Sequence, residues 1–393
     1  MTNSDTLLQL PTQRSGERYV FIDLYRSAVI LLMLEGHVLR AFLPASLQRE
    51  PLFQLHEFFH GLSAPAFLFG AGLTFVISTR KRWEAYHHWD PPLAKRLRRF
   101  LLVILLGLAL HLPYFSFRKV MLELSSPEVL QLFQFDVLHC IGIGLLSLHG
   151  LIFFFKHESR FYSLVITTIF VVCFTTPFVW DLDFLKYIPP AFAQMFNGNH
   201  GSPFPLFPYV GFLYAGVIVS WEFLVAVEHN REGKFMYWLA VLGMIFIIAG
   251  FLFDMIPWHL YATYNYWFTS PNYFLIRLGS LMAIIAGFWY LSRAIKQPKK
   301  IFTVLGIESL FVYVLHLLVL YGSSMNPQLN MQVVFGLNRS FIETIGLFAG
   351  LFFLMLSSAL LWNYLKRKHF PTYRWIQITI GGVFLYFLFT RDF

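Results

Sequence analysis

Long apolar segments recur along almost the whole chain and constrain its fold more than any other feature. A helix needs about 20 apolar residues to cross the hydrocarbon core of a bilayer, where it satisfies its own backbone hydrogen bonds. Eleven such windows are found in the sequence: residues 19–43, 58–79, 100–117, 132–155, 161–180, 205–227, 235–256, 272–292, 301–321, 341–365 and 375–390. The sequence therefore predicts an all-α, polytopic membrane protein with about eleven transmembrane helices.

The composition excludes a water-soluble globular enzyme. Hydrophobic residues make up 57% of the 393 residues and charged residues only 13%, whereas soluble domains carry about 25% charged residues. Residues 1–18 are polar and lack the apolar core of a signal peptide. We expect them to form a cytoplasmic tail, followed by a single transmembrane domain over residues 19–393.

The distribution of basic residues predicts the orientation in the membrane. With the N-terminus in the cytoplasm, 21 of the 30 Lys and Arg residues fall in inner segments and 7 in outer segments. This is the positive-inside pattern of a multi-pass protein of the cell (inner) membrane. An odd number of spans places the C-terminus outside. The net charge of +9 is then a topology signal and an attraction to anionic lipid, so no nucleic-acid partner is predicted.

The first apolar segment carries ionisable residues, which are expensive inside a membrane and mark functional sites by default. Asp23 and Arg26 are three residues apart and share a helical face near the predicted cytoplasmic side. Two interpretations stay open for them. They form a structural ion pair, or they contact an anionic ligand that enters from the cytoplasm, since arginine suits phosphate.

Histidines concentrate in the predicted outer half of the membrane. They occur on four separate predicted spans and at the entry to the second span: His37, His111, His139, His316, His56 and His60. Three explanations compete, namely single hydrogen bonds at the interface, a metal site and a general base. His56 and His60 have a ligand spacing, but no carboxylate and third histidine complete the pattern. We therefore predict no metal.

Five motifs in colinear order resemble the heparan-α-glucosaminide N-acetyltransferase family, in its bacterial multi-pass form. The first is Arg18 followed by Asp23-Leu-Tyr-Arg26-Ser27 and His37, and the second is His56 followed by Gly61-Leu-Ser-Ala-Pro-Ala-Phe-Leu-Phe-Gly-Ala-Gly72. The other three are Phe135-Asp-Val-Leu-His139-Cys140-Ile-Gly-Ile143, Gly201-Ser-Pro-Phe-Pro-Leu-Phe-Pro208-Tyr-Val-Gly211 and Leu305-Gly-Ile-Glu308-Ser309-Leu-Phe-Val-Tyr313-Val-Leu-His316.

The resemblance implies a transmembrane acyltransferase. Such an enzyme moves an acetyl group from cytoplasmic acetyl-CoA to an amine or hydroxyl of an extracytoplasmic sugar or glycan. His56 matches the family's catalytic histidine and is expected to act as the general base. His37 stands where animal members have Asn, and it is expected to be a second catalytic group that polarises the acyl oxygen or orients His56.

The same resemblance implies acetyl-CoA as co-substrate and a homodimer. We assign cofactor binding to Asp23, Arg26, Arg98, Arg99 and His316, with Lys95 as a further basic candidate at the inner ends of the spans. Cys140 replaces an arginine that is common in the fourth-span motif, so a phosphate contact there is not carried over. The lumenal segment with which the animal enzyme holds its polysaccharide is absent, and the acceptor identity therefore does not transfer.

Two other classes of function compete with an acyltransferase. A proton-coupled transporter or flippase would use the outer histidines as a relay, and a membrane scaffold would have no chemistry. CoA release that depends on an acceptor distinguishes the enzyme from both.

Overall fold

The computed structural model describes residues 19–257, 261–262, 264–295 and 298–391, and the predicted tail at residues 1–18 lies outside the described residues. Every regular element in these ranges is helical, as predicted. The long helices are α1 (Val20–Phe42), α2 (Pro51–His60), α3 (Ser63–Thr79), α4 (Pro91–Leu110), α5 (Val137–Phe154), α6 (Glu158–Trp180), α7 (Leu206–Glu228), α8 (Glu232–Asp254), α9 (Pro271–Ala294), α10 (Ser309–Leu320), α11 (Phe341–Lys368) and α12 (Phe370–Thr390).

Short helical segments occupy several connections. They are Ala45–Gln48, Arg80–Arg82, Glu84–His87, Phe117–Leu122, Ser126–Leu132, Phe184–Lys186, Pro190–Ala193, Lys300–Phe302, Val304–Ile307 and Met331–Phe335.

Seven candidate membrane spans are found in the described ranges by length and apolar composition. They are α2 and α3 taken together, α5, α6, α7, α8, α9 and α11. Helices also occupy the four other predicted windows, but two of these helices are more charged than a plain apolar span. α1 carries Asp23, Arg26 and Glu35, and α4 begins at Pro91, so that it includes the basic residues of 95–99. That all eleven windows cross the membrane, and on which side each terminus lies, remain predictions.

The window predicted as one span over 301–321 is broken in the structure. A single turn, Val304–Ile307, ends at Glu308, and α10 begins at Ser309. The buried Glu308 carboxylate accepts hydrogen bonds from Asn363 Nδ2 at 2.6 Å and Lys366 Nζ at 3.1 Å, both on α11. Hydropathy alone does not show such a break, because the residues on both sides are apolar.

Helix α1 is central, since it packs against α3, α9, α10 and α11. One end of α1, including Phe21 and Tyr25, belongs to the larger core, which is shared with α3, α5, α7 and α9. The other end, including Met33 and Val38, belongs to a second core shared with α10 and α11. Helix α1, which carries the charged residues and His37, is therefore packed between two groups of helices.

Helices α3 and α7 approach each other backbone to backbone at two glycines. A Cβ on Gly72 would collide with Leu213 O of α7, and a Cβ on Gly216 would collide with Phe69 O of α3. Small residues allow this close contact between membrane helices. The close contacts at Gly72 and Gly216 fix the position of α3, which connects the two sites described next.

Candidate active site

Four histidines converge where α1, α2 and α10 meet. The ring of His37 on α1 lies 5.2 Å from that of His316 on α10 and 6.0 Å from that of His60 on α2, measured between centroids. The ring of His56 stacks on that of His60 at 6.0 Å. We call these four residues the histidine cluster. The structure thus brings together residues that lie up to 279 positions apart, as the range from His37 to His316 shows.

Local sequence explains how α2 reaches α1. Pro51 occupies the first turn of α2, where its missing N–H costs nothing. The spacing of four places His56 and His60 on one face of α2. Gly36 of α1 lies directly under the His60 ring, and a Cβ at position 36 would overlap this ring. His60 is only 4% exposed, so it is part of the buried cluster and not an interfacial histidine.

Glu35 holds His56. The distance from Glu35 Oε2 to His56 Nε2 is 2.7 Å, and a proton must lie between a carboxylate oxygen and an imidazole nitrogen at this separation. His56 therefore donates from Nε2, which leaves Nδ1 with a lone pair. His56 Nδ1 is buried and has no hydrogen-bond partner. The sequence marks Glu35 as a charged residue in an apolar segment but does not show that it contacts His56.

A tyrosine fixes His37. Tyr321, just beyond α10, donates to the backbone oxygen of His37 at 3.2 Å, and its hydroxyl lies 3.0 Å from His37 Nδ1. The Tyr321 hydroxyl thus holds the Nδ1 side of the His37 ring in place. Next to it, His316 is completely buried and donates from Nδ1 to Val312 O at 3.1 Å. His37 contacts Tyr321 and His316 and not His56, so the orienting partner of His56 is Glu35.

A cavity of about 450 Å³ opens beside His60. We call it the outer cavity, and its lining includes Arg40, His60, Ser63, Trp180, Ser202, Phe268 and Arg277. The rings of Trp180 and Phe268 are stacked at 5.9 Å with an interplanar angle of 16°. Arg277 is 7% exposed, lies over the Tyr273 ring at 4.0 Å and has a buried Nε without a hydrogen-bond partner.

The charge of Arg40 in this cavity is balanced, because its guanidinium forms a bidentate pair with Glu57 on α2. Part of the wall comes from the connection between α6 and α7. In this connection His200 Nε2 lies 2.8 Å from Asp183 Oδ1, and this hydrogen bond holds the pKa of Asp183 below its usual value.

A larger cavity of about 880 Å³ lies at the other end of α3. We call it the basic cavity, because five of its lining residues are Lys81, Arg82, Lys95, Arg96 and Arg99. Arg96 is fixed by Thr79 Oγ1 at 2.6 Å and by Tyr86 OH at 3.1 Å, and its guanidinium lies over the Phe75 ring at 4.9 Å. No acidic residue is found among the described residues that line this cavity.

A narrow cavity of about 160 Å³ continues from the basic cavity toward the histidine cluster. The two cavities share Ala71 and Thr74 in their lining. Tyr313, which lines the narrow cavity, has its ring 5.5 Å from that of His316. We call this narrow cavity the passage. It follows α3 from the basic cavity to Tyr313, whose ring lies beside that of His316.

The residues predicted to bind a cofactor are not all in one place. Arg98 and Arg99 are both exposed, but of the two only Arg99 is among the described residues that line the basic cavity. Arg26 lines the passage and donates to Ser309 Oγ at 2.5 Å. Asp23 is buried where the single turn before Glu308 approaches α1. His316 belongs to the histidine cluster and not to the basic cavity.

Two functional residues are missing from the sequence-based assignment besides Glu35. Arg96 is one of several arginines in a basic segment, and nothing in the sequence distinguishes it from Arg98. Tyr321 follows an apolar run like many other tyrosines of the chain. Their roles depend on contacts between distant helices.

Comparison with known proteins gives one family. The family model described as "Heparan-alpha-glucosaminide N-acetyltransferase, catalytic" matches residues 18–251, which is more than half of the 393-residue chain. The matched region contains His37, His56 and the arginines of α4. No curated protein matches the chain.

Proposed function

The chain belongs to the heparan-α-glucosaminide N-acetyltransferase catalytic family and is a transmembrane acetyltransferase, and we propose that it uses acetyl-CoA from the cytoplasm. The acceptor is then an amine or hydroxyl of an extracytoplasmic sugar or glycan, and His56 is the general base. The enzyme lies in the cell membrane with the basic cavity on the cytoplasmic side.

The basic cavity supports acetyl-CoA as the donor. The nucleotide end of CoA carries several phosphate charges, and charge-assisted hydrogen bonds from Lys and Arg are the usual way to hold them. The rigidly held Arg96, with Arg99 and Lys95 beside it, suits this end. The pantetheine arm is thin and uncharged, so it fits the narrow passage along Ala71 and Thr74. The thioester then reaches Tyr313 and the histidine cluster.

The Glu35–His56 pair supports base catalysis. The acceptor nitrogen or oxygen attacks the thioester carbonyl carbon while His56 Nδ1 takes the acceptor proton. The tetrahedral intermediate then collapses, the C–S bond breaks, and the proton passes from His56 to the leaving CoA sulfur. Glu35 holds the Nε2 proton of His56 and stabilises the imidazolium that forms between the two steps.

His37 supports the same reaction from the passage side. Its Nδ1 is fixed by Tyr321, which leaves Nε2 to face the reacting group. With its proton on Nε2, the neutral His37 donates a hydrogen bond to the developing oxyanion, as an oxyanion-hole group does. In the alternative mechanism, His56 Nδ1 is the nucleophile that attacks the thioester, and a covalent acetyl-His56 intermediate then passes the acetyl group to the acceptor.

The outer cavity supports a sugar as acceptor. The stacked rings of Trp180 and Phe268 offer an apolar plane of the kind on which a pyranose ring packs. Arg277 and Ser202 offer polar groups around this plane. The cavity opens directly beside His60, whose ring stacks on that of His56.

One observation carries the proposal, namely that the basic cavity and the passage share Ala71 and Thr74 and that the passage reaches Tyr313, next to His316 of the histidine cluster. The test uses the purified protein in nanodiscs with acetyl-CoA and a panel of amino sugars and amines. We expect release of the CoA thiol only when an acceptor is present, with the acetylated acceptor identified by mass spectrometry. His56→Ala should reduce the rate by about 10²–10⁴-fold while CoA binding is retained.

Two outcomes contradict this function. The first is a folded, CoA-binding His56→Ala protein that transfers acetyl groups at nearly the wild-type rate. The second is saturable uptake of a solute without CoA release, which is the behaviour of a transporter.

A further inference from the structure

A second group of buried polar side chains lies apart from the histidine cluster, where the end of α4 meets the start of α5. His111 caps the C-terminus of α4, and Asp136 caps the N-terminus of α5, one turn before His139. Each of the three residues offers one ligand atom, and these atoms lie within 4.8 Å of one another. Neither the family assignment nor the proposed reaction uses this group.

Both imidazoles have their Nδ1 atoms occupied. His111 Nδ1 lies 2.9 Å from Gly107 O, and a carbonyl oxygen only accepts, so His111 carries its proton on Nδ1. His139 Nδ1 accepts a hydrogen bond from the Asp136 backbone N–H at 3.3 Å and lies 2.7 Å from Asp136 Oδ1, so its lone pair and the carboxylate face each other. In the neutral form, the lone pair is therefore on Nε2 of His111 and on Nδ1 of His139. Metal-binding histidines show the arrangement of His111, in which the other ring nitrogen donates to a backbone carbonyl.

Two atoms of the group are buried without any hydrogen bond. His139 is 5% exposed and Asp136 is 4% exposed, and both His139 Nε2 and Asp136 Oδ2 lack a partner. Burial of an unsatisfied polar atom is costly, and such atoms in folded proteins call for an explanation. The Asp136 carboxylate and the His139 Nδ1 lone pair are both electron-pair donors, so one cation between them would satisfy both.

The backbone makes room for this arrangement. The ring of His139 lies against Gly107 of α4, where a Cβ would be only 2.6 Å from its Cε1 atom. Gly107 is also the residue whose carbonyl fixes His111. The absence of a side chain at this position thus allows both imidazoles to lie beside one turn of α4.

We propose that His111, Asp136 and His139 bind a divalent transition-metal ion of the Zn²⁺ class. Two imidazoles and one carboxylate are a common ligand set for Zn²⁺, which leaves a fourth position for water. The metal joins the end of α4 to the start of α5. The next residues of α5, Val137 and Leu138, line the passage, so the ion stabilises the wall of the passage. This site is separate from the His56 and His60 pair, which the sequence analysis considered as ligands.

The test measures metal content and does not depend on acetyl transfer. The full chain is purified in detergent with a tag that contains no histidine and without chelators, and zinc is measured by mass spectrometry. We expect about one Zn²⁺ per chain, lost in both His111→Ala and His139→Ala. Asp136→Asn should weaken zinc affinity by about 10–100-fold. His200→Ala, which removes the histidine paired with Asp183 outside this group, is the matched control and should retain zinc.

A second measurement guards against variants that fail to fold. Wild-type protein is stripped with a chelator and titrated with Zn²⁺ while its thermal unfolding is followed, and zinc should raise the midpoint because it binds the folded state. Co²⁺ added in place of zinc should give the visible absorption of a four-coordinate site. The proposal is overturned if the wild-type protein contains no metal and Zn²⁺ leaves its unfolding midpoint unchanged, or if His200→Ala loses as much zinc as His139→Ala.

Discussion

Glu35 Oε2 and His56 Nε2 are 2.7 Å apart, in a hydrogen bond that joins α1 to α2 across the connection at residues 43–50. The bond determines which nitrogen of His56 carries the proton. It therefore also determines that Nδ1 is the atom able to accept one from a substrate. The same bond compensates part of the cost of keeping a carboxylate in an apolar helix.

Glu35→Gln should reduce kcat strongly and leave CoA binding unchanged. The amide donates to His56 where the carboxylate accepts, so the imidazole takes the other tautomer and Nδ1 loses its lone pair. In a serine protease, replacing the aspartate that orients the catalytic histidine by asparagine lowers kcat about 10⁴-fold. We expect Glu35→Gln to lower kcat by between about tenfold and 10⁴-fold. Thiol-release kinetics measure it. Glu228→Gln, which affects only an ion pair with Arg80, is the control, and equal rates for both variants would contradict the assignment.

His37→Asn should retain partial activity. The asparagine amide N–H can donate a hydrogen bond to the acyl oxygen, as His37 Nε2 does, but the shorter side chain does not place the donor at the same point. Removal of one oxyanion-hole donor costs about 10²–10³-fold, and the asparagine should lose less than His37→Ala does. The comparison of kcat for the two variants checks this. An asparagine variant as inactive as the alanine variant would show that His37 acts through its basicity.

Arg99→Ala and Arg98→Ala form a matched pair of tests for the basic cavity. Arg99 lines the cavity, and Arg98 is absent from its described lining. Loss of one charged hydrogen bond costs about 1.5–3 kcal/mol, so Arg99→Ala should weaken CoA binding by about 10–150-fold. The salt dependence of binding should also fall. Arg98→Ala should bind CoA like the wild type in a calorimetric titration, and an equal loss in both would favour a diffuse effect of the basic segment.

Gly36→Ala should distort the histidine cluster, because its methyl group would overlap the His60 ring. Overpacking of a buried site costs about 1–3 kcal/mol of stability, and α2 would move away from α1 together with His56. Gly346→Ala places a methyl group in open space and is the control. Thermal unfolding and kcat measured on both variants test the contact. A fully active Gly36→Ala protein of unchanged stability would mean that α2 does not pack on α1 in this way.

The predicted orientation is tested with cysteine labels. A cysteine at Lys186, in the α6–α7 connection, should react with a membrane-impermeant maleimide added from outside, and a cysteine at Glu84 should not. The native Cys140 and Cys173 are buried and provide a low background. Labelling of Glu84→Cys from outside in intact cells would reverse the topology.

The helices could be predicted well from the sequence because hydropathy is a local property. Each of the eleven windows corresponds to helical structure, with shifts at the ends such as the start of α4 at Pro91. The break at Glu308 could not be predicted, since the partners that make it favourable, Asn363 and Lys366, lie on another helix. A charged residue near the end of an apolar window can belong to the membrane span or to the loop beside it, and hydropathy does not distinguish the two.

The candidate site could be predicted only in part for the same reason. Residue type and the family motifs identified His37 and His56, and the structure adds that His316 lies beside His37. The pairing of Glu35 with His56 depends on the angle at which α2 meets α1, which no local pattern specifies. Arg98 and Arg99 are adjacent in the chain, but successive residues of a helix point about 100° apart, and only the packing of α4 shows which one faces the cavity.

The close contact between α3 and α7 at Gly72 and Gly216 also determines the width of the passage. Gly72 lies between Ala71 and Thr74, whose side chains form the neck shared by the two cavities. Any side chain at position 72 or 216 would push α3 away from α7 and toward the opposite wall of the passage, formed in part by Arg26 and Ser309. The width of the passage thus depends on Gly72 and Gly216, although neither residue lines it. An alanine at either position would narrow the passage without contacting a ligand inside it.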